Sequence, residues 1–223
     1  MDRLDAHLRQ ELNGMLGGLP RRVTLKLFTR DGVAECPGCG DARELLEELA
    51  GASGGTVQFD VHDLDREPEL AARLDVTTVP VIAVLGGDEQ QDYGIRFYGA
   101  PDGYEFATLV EDIRLVSRGD ADLMPATRDV LAHLRSPLHI QVFVTPTCPY
   151  CPRAAILAHS LALASDQVTA DVVDASEFPV LANAFHVRGV PKTVVNGSVH
   201  IDGAVPESVL LAQLAPLLEA SLG

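Results

Sequence analysis

Four cysteines carry the chemistry this sequence offers. Cys36 and Cys39 lie in Glu35-Cys36-Pro37-Gly38-Cys39-Gly40, Cys148 and Cys151 in Thr147-Cys148-Pro149-Tyr150-Cys151-Pro152, and the chain has no other cysteine. Thiols at this spacing serve either thiol–disulfide exchange or zinc ligation. Exchange needs one thiolate to attack and a second thiol close enough to displace it. Zinc needs all four sulfurs to converge, and ribbons of that kind ordinarily separate their pairs by about 15–20 residues. Here Cys39 and Cys148 are 109 residues apart. Exchange is the leading reading, and a zinc-stabilised binding module is the alternative from another class.

Position along the chain sharpens the exchange reading. Each pair sits where a predicted strand gives way to a predicted helix, so Cys36 and Cys148 face helix N-termini, whose unpaired N–H groups favour an anion. That lowers a thiol pKa and raises the population of the nucleophile. Cys39 and Cys151 follow one turn later, placed to resolve a mixed disulfide. Pro37 and Pro149 suit a first turn, where a missing N–H costs nothing. The intervening Pro-Gly and Pro-Tyr differ, so the two sites need not be equivalent, and of the two the Pro-Tyr site is the one expected to be more active.

The elements that position these pairs come twice. Residues 57–80 and 168–191 align without a gap at an offset of 111, with ten of 24 positions identical, including Asp60/Asp171, Asp63/Asp174, Pro68/Pro179, Val79/Val190 and Pro80/Pro191. The cysteine pairs repeat at an offset of 112. A period this long signals a duplicated domain rather than a solenoid. Each copy reads as strand (23–28; 140–144), cysteine pair, helix (41–50; 152–164), strand (57–61; 168–173), short helix, Val-Pro, hairpin (81–85 with 95–98; 193–195 with 199–201) and closing helix (104–116; 206–220). The second hairpin turns on Asn196-Gly197, the strongest short hairpin signal. A loop over 29–35 leads into the first pair. Leu4, Leu8, Leu12 and Met15 form an apolar stripe at helical spacing, read as a capping helix. A Gly-, Asp- and Pro-rich stretch over 118–125 reads as a linker, followed by a helix over 127–134. Such an order demands a mixed sheet flanked by helices, because parallel neighbours need crossovers. The expected division is 1–120, with the capping helix and the Cys-Pro-Gly-Cys site, and 121–223, with the Cys-Pro-Tyr-Cys site.

Composition narrows the partners. The chain has 223 residues, 47% of them hydrophobic, with no Trp, so cores of Val, Leu, Ile and Ala are expected. A net charge of −15 disfavours nucleic-acid backbones and anionic membranes. The first residues lack a basic start with an apolar run, and no stretch reads as a membrane span, so a cytoplasmic protein is expected. In that compartment paired cysteines serve catalysis or metals more often than structure.

Cys148-Pro149-Tyr150-Cys151, with strand before it, helix after it and a later Val-Pro before a hairpin, resembles the glutaredoxin active site of the thioredoxin/glutaredoxin superfamily. Two such units in tandem, both with intact C-x-x-C, resemble the protein disulfide oxidoreductases over nearly the whole chain. The resemblance implies an α/β fold of two thioredoxin-like units, an enzyme that reduces, forms or isomerises protein disulfides, and no cofactor of its own. It implies cis prolines at Val79-Pro80 and Val190-Pro191 that face the disulfides and offer backbone to substrate. It also implies a thioredoxin-reductase-like electron donor. A reductant dedicated to a peroxiredoxin is the alternative enzyme. The sequence departs from thioredoxins in having no Trp before the motif, and Arg30 and Val142 where a buried Asp usually lies. Asp60 and Asp171 are candidates for proton transfer, or else solvated strand positions. The seven histidines show no repeated placement and are assigned no role.

Overall fold

The computed structural model describes residues 4–31 and 36–222, with side chains through residue 217. Residues 32–35, part of the predicted loop ahead of the first cysteine pair, lie outside the described residues. The first copy runs α1 (Ala6–Leu16), β1 (Val23–Thr29), α2 (Cys39–Ala52), β2 (Val57–Asp63), α3 (Pro68–Arg73), β3 (Val81–Gly86), β4 (Gln91–Tyr98) and α4 (Tyr104–Arg118). The second runs α5 (Pro125–Ala132), β5 (Leu138–Val144), α6 (Cys151–Ala164), β6 (Val168–Asp174), α7 (Pro179–Ala184), β7 (Lys192–Val195), β8 (Val199–Asp202) and α8 (Glu207–Leu222).

The predicted elements are present in the predicted order, with corrections at their ends. In α1 the buried residues are Leu12 and Leu16, whereas Met15 points outward. A 3.6-residue period carries the stripe from Leu12 to Leu16. The strand β4 begins at Gln91, four residues before the apolar run, because a register shift at Val84/Leu85 lets its polar start keep pairing with β3. In the predicted linker Ala121 and Leu123 are buried, so it packs onto the core.

The strands form one continuous sheet in the order β2-β1-β3-β4-β6-β5-β7-β8. Each copy supplies four, parallel at its crossover (β1 with β2, β5 with β6) and antiparallel at its hairpin. The copies join where β4 pairs in parallel with β6, Ile95 opposite Ala170 through Tyr98 opposite Val173. Gly94 abuts this seam: a Cβ there would lie 3.1 Å from the backbone of Thr169.

Both sheet faces are covered. Ile82 and Val84 of β3 point to one face, Val81, Ala83 and Leu85 to the other. The first face carries a single apolar cluster across both copies, from Leu12 and Leu46 through Phe97 and Leu109 to Ala155 and Leu214. The second face carries two separate clusters, one under α3 and one under α7, with Tyr98 touching both. A core shared in this way predicts that Phe97→Ala, at a site 2% exposed beneath the His159 ring, lowers stability by about 3–5 kcal/mol. Urea unfolding should remain a single transition, with no first step confined to one copy.

Candidate functional site

Each cysteine pair follows a strand, β1 ending at Thr29 and β5 at Val144, and closes on the first residue of a helix. Residues Cys36 and Cys39 are disulfide-bonded with Cα atoms 5.4 Å apart, and Cys148 and Cys151 likewise at 5.5 Å. Both distances are ordinary for a disulfide. The turn is held in each case by a backbone bond from the second cysteine to the first, Cys39 N to Cys36 O and Cys151 N to Cys148 O. Neither α2 nor α6 has a side-chain cap at its start. The N–H groups of the first turn are therefore left to polarise the adjacent sulfur.

The strands β1 and β5 point the same way in the sheet, so both centres open on one edge of it. Those two strands stand four strand spacings apart, roughly 19 Å. The four sulfurs form two separate disulfides rather than one tetrahedral set, and among the described residues no group of three or more His, Cys, Asp or Glu is placed to hold a metal ion.

The peptide bonds Val79-Pro80 and Val190-Pro191 are both cis. The Pro80 ring lies against the first pair, 3.3 Å from where a Cβ on Gly38 would stand, and Val79 shares an apolar cluster with Cys36. Residue Val190 packs against the cluster that holds Cys148 and Cys151. Carbonyls of Pro80 and Pro191 are taken by Gly99 N and Gly203 N, which fixes both segments against the hairpins that follow.

The two pairs differ in surroundings. Cys148 and Cys151 are buried, and Tyr150 between them is 65% exposed. On the first pair Cys36 is buried, Cys39 is half-buried, and Pro37 borders a groove of about 680 Å³ between α3 and α7. The groove is floored by Arg96, His139 and Asp171, which meet at the β4–β6 seam. Asp171 is buried and paired with His139 at 2.5 Å, and that bond raises the imidazole pKa. Asp60 is half-exposed and paired with Lys26 at 3.1 Å. Asp171 stands opposite Gln141, three residues and roughly 10 Å short of the strand end that carries Cys148. The structure thus gives both strand aspartates partners away from the sulfurs.

An acid on the helix that abuts the loop before Cys148 is one that sequence reading missed. Gly103, with φ of 58°, and Tyr104 bring the start of α4 onto the loop before Cys148: Tyr104 N donates to Pro146 O at 2.9 Å, and a Cβ on Gly103 would overlap that carbonyl. Glu105 follows at once. It is 3% exposed, and its carboxylate oxygens have no hydrogen-bond partner of ordinary geometry. Burial pushes its pKa up to about 7, against partial relief from the Thr108 hydroxyl and the His159 ring. Farther along the same helix face, Asp112 is bonded to His159 of α6 at 2.6 Å with both side chains sealed from solvent. An acid in the first turn of a helix ordinarily reads as a complement to the dipole, so no signal in the sequence marks Glu105.

Two disulfides at helix starts, with a cis Val-Pro in each copy, on a mixed sheet flanked by helices, define a tandem thioredoxin fold. The chain has a tandem thioredoxin fold with two C-x-x-C disulfide centres. A family model described as "Thioredoxin domain" matches residues 138–215. The structure of a protein disulfide oxidoreductase from Aeropyrum pernix is similar with a TM-score of 0.87 and 28% identity, over 98% of this chain and 95% of that one. The NTD_N/C domain of alkylhydroperoxide reductase AhpF from Enterococcus faecalis is similar with a TM-score of 0.83 and 24% identity, over 98% of this chain and 99% of that one. An alkyl hydroperoxide reductase of Xanthomonas campestris pv. phaseoli is 24% identical over 213 residues, 95% of this chain and 37% of that protein. The chain spans under two-fifths of the length of such curated relatives.

Burial of Glu105 has a measurable consequence. Its carboxyl ionises near pH 4.5 when exposed and near 7 in the fold. The folded state therefore holds the extra proton between these values, and stability falls by about 3 kcal/mol as pH rises through that window. Glu105→Gln cannot ionise, so its urea stability relative to the parent should be about 2–3 kcal/mol more favourable at pH 8 than at pH 4.5.

Proposed function

We propose that the protein passes electron pairs between a reductase and disulfides of protein substrates, with Cys36 and Cys148 attacking and Cys39 and Cys151 resolving. In the reducing direction the Cys148 thiolate attacks a substrate disulfide, forms a mixed disulfide and releases one substrate thiolate. Cys151 then loses its proton, and its sulfur attacks Cys148; the Cys148–Cys151 disulfide forms and the second substrate thiolate leaves. Two electrons have moved, and a dithiol donor must restore the pair. Cys36 and Cys39 follow the same sequence. The observation that carries this reading is the occurrence, in each copy, of a C-x-x-C disulfide at an uncapped helix start together with a cis Val-Pro.

Val79-Pro80 and Val190-Pro191 are then the segments that receive an extended substrate, and Glu105 accepts the proton that Cys151 gives up. A carboxyl that titrates near 7 is matched to that task at neutral pH. Each unit, 1–120 and 121–223, carries one centre. A thioredoxin-reductase-like flavoenzyme is the donor we expect, in the cytoplasm; among the described residues no helix is long and apolar enough to cross a membrane. The likeness to an alkyl hydroperoxide reductase over 95% of the chain favours a second reading, in which the substrate is a peroxiredoxin disulfide.

Insulin reduction driven by dithiothreitol tests the roles. Cys36→Ser and Cys148→Ser should each leave activity from the other centre, with the larger loss for Cys148→Ser, and the double variant should fall to the uncatalysed rate. Redox titration of the two single variants should give two different midpoint potentials; one shared value would remove the proposed division between Pro-Gly and Pro-Tyr sites. A peroxiredoxin turned over far faster than insulin would favour the second reading.

A further inference from the structure

The residue between Pro37 and Cys39 is glycine, yet its backbone does not require one. Gly38 has φ −81° and ψ −9°, close to the φ −97° and ψ −16° of Tyr150 at the matching place in the second centre. Both are right-handed values that any residue adopts. What differs is the space outside the turn. At Tyr150 the side chain projects into solvent, whereas a Cβ on Gly38 would overlap Oε2 of Glu177. Glu177 belongs to the other copy, in the loop between β6 and α7. Its Oε1 accepts from Ala100 N at 2.7 Å and passes 2.9 Å from where a Cβ on Gly99 would stand. Two glycines and a free amide of the first copy thus seat one carboxylate of the second. The repeat does not duplicate the arrangement: the residue aligned with Glu177 is Arg66, which pairs with Asp31.

We propose that Glu177 is a positioning residue of the first centre, supplied by the second copy, which holds a negative charge against the Cys36–Cys39 turn and restrains formation of the thiolate there. The proposal rests on the disulfide-exchange reading and refines it. The sign follows from the charge. A carboxylate beside a thiol disfavours its ionisation, opposing the helix N-terminus of α2. The groups that face Glu177 are the Ala100 amide after β4, Asp174 at the end of β6 and Asp41 in the first turn of α2. Partial burial of the carboxylate, with these two acids, raises its own pKa against the pull of the Ala100 amide. Glu177 is exposed as a residue, so solvent screens its charge and the effect on the thiol is moderate, about half a pKa unit rather than several.

The test uses full-length protein with Cys148→Ser and Cys151→Ser, so that only the first centre remains. The rate at which iodoacetamide alkylates the reduced protein is followed from pH 5 to 10. Glu177→Gln, which keeps the acceptor for Ala100 N, should raise the rate about threefold at pH 6–7 and leave the high-pH plateau unchanged. Glu177→Asp should lie between. Gly38→Ala, which displaces the carboxylate, should give the same shift, and the double variant Gly38→Ala/Glu177→Gln no more than either alone. In the converse background, Cys36→Ser with Cys39→Ser, Glu177→Gln should leave the profile of Cys148 in place. An unmoved first-centre profile, an equal shift at both centres, or fully additive effects of the two single variants would overturn the proposal. If alkylation shifts as expected while the first centre reduces no insulin in any variant, the exchange reading fails at this centre and the placement of Glu177 stands.

Discussion

Four residue pairs between β4 and β6 hold the architecture together. Without that parallel ladder each copy is a four-stranded sheet with an exposed edge, Ile95 to Tyr98 on one and Ala170 to Val173 on the other. Such edges invite pairing, and here they pair with each other. The union brings α4 of the first copy onto α6 of the second, buries Phe97 against His159, and merges what would be two small cores into one. It also fixes the spacing of the two disulfides along a single edge of the sheet.

Acid placement follows from the same ladder. The start of α4 abuts the loop before Cys148 and buries Glu105 between α4 and α6, while the loop before α7 reaches back to the Cys36–Cys39 turn and sets Glu177 against Gly38. The two acids are not related by the repeat, since their surroundings arise from opposite sides of an asymmetric seam. Copies that began alike have acquired different neighbours by lying side by side in one sheet. Differences between the centres therefore need not come from the motif itself. At the Pro-Gly centre the other copy fills the space a side chain would take, whereas at the Pro-Tyr centre that space is open to solvent.

Much of this was legible in the sequence because it is local. The strand, cysteine-pair, helix order, the Val-Pro segments and the Asn196-Gly197 hairpin each follow from short patterns, and the repeat supports each with a second instance. What escaped was non-local. Nothing near Ile95 or Ala170 states that these edges meet, because a half-buried edge and a buried seam share the same alternation. Glu105 and Glu177 read as surface acids in a chain with 32 acidic residues. Only packing shows that one is sealed without a hydrogen-bond partner and that the other fills the space a side chain at position 38 would take. His159 is hidden for the same reason: a lone histidine on an apolar helix gives no hint of a buried Asp112 across the interface. Met15 is a smaller departure, a choice between adjacent residues that helix phase alone decides.

The buried polar atoms show where this architecture departs from pure stability. Of the buried side-chain nitrogen and oxygen atoms without a hydrogen bond among the described residues, all but one belong to Glu105, Thr108, Asp112 and His159, on the facing sides of α4 and α6. An apolar interface there would be cheaper, since unsatisfied buried groups cost roughly 1–3 kcal/mol each. A buried carboxyl keeps a pKa near 7 only if nothing hydrogen-bonds strongly to its ionised form, because such bonds would drag that pKa back down. The missing partners and the raised pKa are thus one property. The extended shared core offsets their cost, and the β4–β6 ladder is what makes that core continuous.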